Sequence, residues 1–198
     1  MRSQTIIVTV VLLLATGLTT HVNAQSREWR DLQRHQLVKF NWACSTTSSY
    51  PSAKLNRIVK RTMKREQFDG FGTWGDRAFA FDLNGDQKLE YFVPLDCGGT
   101  GNCYWGVYAL NPVRELGLIN GEYIYVHRRT GRWPQVVSYG HVTAMEGSLT
   151  TYRFNNAHHY AQRSRYAINN GVAYLEIQET VGIPLPAFLK RAKPACNP

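Results

Sequence analysis

The stretch that decides the fold is Phe79-Ala80-Phe81-Asp82-Leu83-Asn84-Gly85-Asp86-Gln87-Lys88-Leu89-Glu90-Tyr91-Phe92-Val93-Pro94-Leu95. Phe79, Phe81 and Leu83 alternate with Ala78, Ala80 and Asp82, the period-two signature of a strand with one face buried. Tyr91 to Leu95 is a second apolar run, and the acid-rich segment between the two contains Asn84-Gly85, a strong two-residue turn signal. Downstream, short segments rich in aromatic and β-branched residues continue the pattern: Cys103–Leu110, Tyr123–His127, Val136–Val142, Leu149–Phe154, His159–Tyr166 and Val172–Ile177. Asn111-Pro112, Asn120-Gly121, Thr130-Gly131 and Asn169-Asn170-Gly171 separate them as turns. Strands this close, with no helical crossover between them, point to antiparallel pairing.

Upstream the period is helical. Glu28 to Phe40 is polar with scattered apolar positions, and about Ser52 to Gln67 places Leu55, Ile58, Val59 and Met63 at helical spacing. The second segment carries Lys54, Arg57, Lys60, Arg61, Lys64 and Arg65 on its other positions, which suits either a solvated surface or an anionic one. The expected fold class is therefore α+β: one or two N-terminal helices packed on an antiparallel β-meander of about six to eight strands.

The first 24 residues read as a cleaved signal peptide. Arg2 supplies a positive start, Ile6 to Ala15 is apolar apart from Thr9, and Val22-Asn23-Ala24 offers small residues for cleavage. The run is too short for a transmembrane segment, which needs roughly 20 apolar residues. The remaining residues, 25–198, form a single exported α+β domain on this reading, secreted or periplasmic. The whole chain carries 23 basic and 14 acidic residues, net +9. Removing Arg2 with the signal leaves +8, a balance that favours polyanionic or carbohydrate partners in the envelope or outside the cell. Export argues against nucleic acid, and a monomer is expected.

Four cysteines in an exported chain imply disulfides. Cys97 and Cys103 bracket a glycine-rich loop, and Cys44 and Cys196 lie near the two mature ends, so Cys97–Cys103 with Cys44–Cys196 is the preferred pairing of the three possible. No Cys-x-x-Cys pair suggests zinc instead.

The segment Asp82 to Glu90 also has chemistry in its spacing. Asp82, Asn84, Asp86 and Glu90 fall at positions 1, 3, 5 and 9 of a loop, and the Lys88 carbonyl at position 7 would add one more oxygen. Calcium takes about six to eight oxygen ligands, and alternate residues of a tight loop point inward to supply them. Three carboxylates so close repel one another without a cation. Phe81 to Asp86 with Glu90 to Val93 resembles the calcium hairpin of FG-GAP and VCBS-type repeats, whose strand, acidic loop and strand follow in this order. The resemblance implies calcium held by Asp82, Asn84, Asp86, Lys88 and Glu90. It covers about a dozen residues, occurs once, and departs from the family at position 6, where Gln87 replaces glycine. It therefore implies a local ion hairpin and not a propeller. An EF-hand fits less well, because Val93 stands at position 12. A plain hairpin turning at Asn84-Gly85 is the alternative reading.

Other candidates are weaker. His127, His141, His158 and His159 could serve as base or metal ligand, although neighbours on a strand face opposite ways. No Gly-x-Ser-x-Gly elbow and no His-Glu-x-x-His helix occurs, and no catalytic residue is assigned. Trp74, Tyr104, Trp105, Tyr108, Tyr123, Tyr125, Trp133 and Tyr139 could stack on sugars or peptides, or fill a core. The functional expectation is a non-enzymatic binding or inhibitor module stabilised by calcium and disulfides. A secreted hydrolase, with a site assembled only in three dimensions, is the alternative.

Overall fold

The computed structural model describes residue 29 and residues 32–44, 52–68, 78–141, 146–169 and 186–196. The expected signal segment, the expected strand Val172–Ile177 and Trp74 lie outside them. The chain divides into two compact units, Met1–Gln36 and Leu37–Pro198. In the first, Trp29 and residues 32–33 are helical and the His35 N–H donates to the Leu32 carbonyl.

The second unit overturns the expected meander. Its described residues form a ten-stranded, curled, mixed sheet: β1 (Val38–Phe40), β2 (Phe79–Phe81), β3 (Glu90–Cys97), β4 (Cys103–Leu110), β5 (Val113–Gly121), β6 (Tyr123–Val126), β7 (Val136–His141), β8 (Glu146–Phe154), β9 (Tyr160–Asn169) and β10 (Lys193–Pro194). Their order across the sheet is β10-β1-β6-β7-β8-β9-β5-β4-β3-β2. Most neighbours are antiparallel, but β1–β10 and β5–β9 are parallel. The helical content is also smaller than expected. Ser52–Glu66 forms a helix (α1), but Val38–Phe40, read as the end of a first helix, is a strand. A short helix, Ala187–Lys190 (α2), precedes β10.

Two physical causes explain the difference. Val38 and Phe40 become a strand because partners exist on both sides: Val38 pairs with Val126 of β6 and with Lys193 of β10. Such long-range pairing overrides a weak local helical pattern. The strand β5 escaped the alternation reading because Gly117 interrupts it and Asn120-Gly121 looks like a turn. Gly117, at φ +138°, is where β5 meets β9; a Cβ there would stand 2.7 Å from the Tyr160 carbonyl oxygen. Only glycine permits that approach.

The curl brings the two ends of the sheet together. Phe40 of β1 stacks on Phe79 of β2 with ring centroids 3.9 Å apart, and meets Phe92 and Trp105 edge-on at 5.1 and 5.5 Å. Around them, Leu83, Val107, Leu116, Ile119, Ile124 and Val136 are fully buried. The indole N–H of Trp105 donates to the Gly121 carbonyl at 3.0 Å, so the largest buried ring leaves no orphan donor. On the opposite face, α1 lays Leu55 and Val59 against Tyr91, Val93, Leu95 and Tyr108.

The bridges are Cys44–Cys196 and Cys97–Cys103. The first spans 152 residues and holds the β10 segment beside β1; the second spans 6 and closes the β3–β4 turn. In the chain-entropy account the long loop contributes about 5 kcal/mol and the short one about 2. Replacing Cys44 and Cys196 together by serine should therefore lower the urea-unfolding free energy more than replacing Cys97 and Cys103. The reverse order would show that β10 is held by something other than its bridge.

Candidate metal centre

The acidic loop hangs between β2 and β3, whose closing pair is Phe81 opposite Glu90. Leu83, fully buried, pins the loop to the aromatic core, whereas Leu89 is 47% exposed. Between Asp82 and Glu90 the side chains fold back on their own backbone. Asp82 Oδ1 accepts from the Gly85 N–H at 2.8 Å and Oδ2 from Gln87 at 3.3 Å. Asn84 Oδ1 accepts from Asp86 at 3.0 Å, and Asp86 Oδ1 from Lys88 at 2.9 Å. Glu90 Oε2 accepts from the Leu83 N–H at 2.8 Å, tying the last position to the second.

The backbone is left-handed twice, at Gly85 (φ +74°) and at Gln87 (φ +66°). Glycine is needed at the first, since a Cβ would come within 2.9 Å of Thr130 Cα. At the second the fold holds a glutamine in a conformation that costs an L-residue about 1 kcal/mol. The loop in turn rests on residues 128–131. Arg129 N–H donates to the Leu83 carbonyl at 2.8 Å, Gly131 N–H to the Asn84 carbonyl at 2.9 Å, and the Arg128 guanidinium pairs with Asp82 Oδ2 at 2.8 Å.

Glu90 is the buried member, 2% exposed. Burial pushes its carboxyl up to about 7, with the Asp86 and Asp82 charges adding to the rise, while the Leu83 N–H and Arg114 act in the opposite direction. The structure thus brings Asp82, Asn84, Asp86, Lys88 and Glu90 into one compact loop. Among the described residues, however, no three His, Cys, Asp or Glu side chains converge closely enough to hold a metal as they stand.

The other candidates are dispersed. His127 is buried; His158 and His159 lie in the exposed turn between β8 and β9. His141 places Nε2 2.9 Å from Glu122 Oε2 and Nδ1 3.5 Å from the Tyr139 hydroxyl. Most of the aromatics are core: Trp105 and Tyr108 are fully buried, Tyr125 is 3% exposed, and Tyr104 alone of the eight stands out at 42% among the described residues.

The sequence reading missed a polar cleft of about 120 Å³ lined by Asn102, Asn120, Ser148, Thr150, Gln162 and Arg165. Its walls come from the β3–β4 turn and from β5, β7, β8 and β9, so no local pattern announces it. Asn102 is locked there, accepting from the His141 N–H and donating to the His141 carbonyl. His141 shares this wall, but it lies opposite Gly147 whereas Ser148 lies opposite Gly140. Its ring therefore projects from the other face of the sheet from the Ser148 hydroxyl. A second recess, near Arg65 and His159, contains Glu115, whose carboxylate is taken up by Arg65 at 2.7 and 3.1 Å and by the Thr62 hydroxyl at 2.8 Å.

No protein-family model, no curated protein and no solved structure matches the chain.

A carboxyl raised on folding contributes stability that is complete below its unfolded value and is lost as pH rises through its folded value. For Glu90 that window runs from about 4.5 to about 7. Metal-free protein should accordingly lose up to about 3 kcal/mol from this group between pH 4.5 and pH 8. Glu90→Gln, which keeps an acceptor for Leu83, should flatten that decline in urea unfolding followed across the range. Parallel pH profiles for the two proteins would show that Glu90 stays ionised throughout.

Proposed function

We propose that the Asp82–Glu90 loop is a calcium site and that it stabilises an exported domain that works by binding a partner. The observation that carries the reading is Gln87. The loop takes the left-handed turn at position 6 although the residue there is not glycine, and it does so while the oxygens of Asp82, Asn84 and Asp86 are turned inward on alternate residues. Calcium would take oxygens from Asp82, Asn84, Asp86, the Lys88 carbonyl and Glu90, with water completing six to eight. The ion would replace Arg128 as the counter-charge of Asp82. It would also relieve the repulsion that Asp82 and Asp86 exert on Glu90. This reading keeps the resemblance to FG-GAP and VCBS-type hairpins local, as a single ion-bearing turn of about a dozen residues within one curled sheet. Binding is preferred to catalysis because of what the surface offers: a small polar cleft and a strongly cationic helix.

Thermal unfolding in chelator and then in excess calcium tests the site. At a free concentration of 100 times the dissociation constant the folded state gains about 2.7 kcal/mol by mass action. Asp86→Ala should abolish that gain, and Arg128→Ala should tighten binding by removing the competing cation. Equal midpoints with and without calcium would leave only the Asn84-Gly85 hairpin.

A further inference from the structure

Helix α1 is an unusual surface helix. Its fifteen residues contain one acid, Glu66, and that acid is bound to Arg65 at 2.6 Å. Arg65 also forks onto Glu115, so it belongs to the packing of the helix on the sheet. The remaining cations, Lys54, Arg57, Lys60, Arg61 and Lys64, are all exposed, and none has a carboxylate partner among the described residues. At 100° per residue they fill an arc of about 120° centred opposite Leu55 and Val59, and they run about 15 Å along the axis. The first turn holds no acid to complement the helix dipole. Lys54–Arg57, Arg57–Lys60, Arg57–Arg61, Lys60–Lys64 and Arg61–Lys64 are all like-charge neighbours three or four residues apart, each pair unfavourable to the helix. Lys64 complements the dipole at the last turn, but no contact among the described residues accounts for the rest of this arrangement.

A second observation lies at the C-terminal end of the same helix. Phe68, whose N–H closes the helix on the Met63 carbonyl, packs on Tyr104 with ring centroids 5.0 Å apart. Phe68 supports one side of the tyrosine, which is 42% exposed.

We propose that this cationic stripe and Tyr104 form one docking surface for a linear acidic polysaccharide, with anionic groups along α1 and a sugar ring against the tyrosine. A bilayer is disfavoured because the apolar face of α1 is already spent on Tyr91, Val93 and Tyr108, which leaves nothing to insert. A single-stranded nucleic acid is disfavoured because its bases ask for successive aromatic platforms, whereas this surface offers one. The inference builds on the binder half of the proposed function and is independent of the calcium loop.

Polygalacturonate is a suitable probe, used in chelator because polyuronates themselves bind calcium. The intact protein should bind it in a salt-sensitive manner. Arg57→Ala/Arg61→Ala/Lys64→Ala should weaken binding about tenfold, and alanine, a strong helix former, keeps α1 folded. Tyr104→Ala should weaken it severalfold with an unchanged salt dependence. The control Arg132→Ala/Arg153→Ala/Arg163→Ala removes the same charge from exposed sites elsewhere and should leave binding within twofold. Equal loss in the control reduces the effect to net charge and overturns the proposal. So does tighter binding to single-stranded DNA or to anionic vesicles at the same ionic strength, or no binding at all. Asp86→Ala should bind the polymer like the native protein. A failure of the calcium reading would therefore appear only in the melting experiment, and a failure of this one only with the polymer.

Discussion

Phe40 is the contact on which the second unit depends. It sits one strand from one end of the sheet and stacks on Phe79 at the other end, so a single ring closes the curl. A ten-strand sheet that is twisted but open would expose the apolar side chains of both margins; bringing β1 to β2 buries them against each other. The same ring touches Phe92 and Trp105, which lie on β3 and β4. Between β1 and β2 themselves the closure is aromatic, because the two strands are not partners in the ladder.

Everything at the candidate ion loop inherits its position from this closure. The loop follows β2 directly, and Leu83, its second residue, is part of the same buried cluster as Phe40. The carbonyls of Leu83 and Asn84 accept from Arg129 and Gly131, which lie just beyond β6, the strand beside β1. The loop therefore bridges the two margins of the sheet on its outer rim, as Phe40 does inside. An ion there would strengthen the same join.

The parts of this architecture written in neighbouring residues were legible in the sequence. The hairpin around Asp82–Glu90, the amphipathic helix with Leu55 and Val59 inward, and a bridge between cysteines six residues apart all follow from local spacing. What escaped was written between distant residues. β1 exists because residues 193–194 and 124–126 come to meet it, and β10 is two residues long. β5 was hidden because its glycine serves a neighbour, β9, that arrives about forty residues later. The polar cleft was hidden for the same reason, since the β3–β4 turn and β5 meet the β7–β9 strands in it from about twenty or more residues away in the chain.

Among the described residues, both surfaces given functional roles above act against their own local preferences. Gln87 is held left-handed where glycine would be easier, and α1 carries five cations with no carboxylate partner among the described residues where alternating charges would be easier. Gln67 and His158 are left-handed as well, but much of the fold follows local rules: glycine at 117, where a Cβ would stand 2.7 Å from the Tyr160 carbonyl oxygen, leucine where the core closes, Glu115 hydrogen-bonded by Arg65 and Thr62. Arg65 has a structural reason in Glu115, but no contact among the described residues accounts for the other five cations of the fifteen-residue helix. Substituting any of the five exposed ones by glutamine or glutamate would cost the core nothing and would relieve repulsion within the helix. Arrangements that stability disfavours persist where something outside the fold rewards them. For α1 the proposed reward is anionic, because the property shared by Lys54, Arg57, Lys60, Arg61 and Lys64 is positive charge.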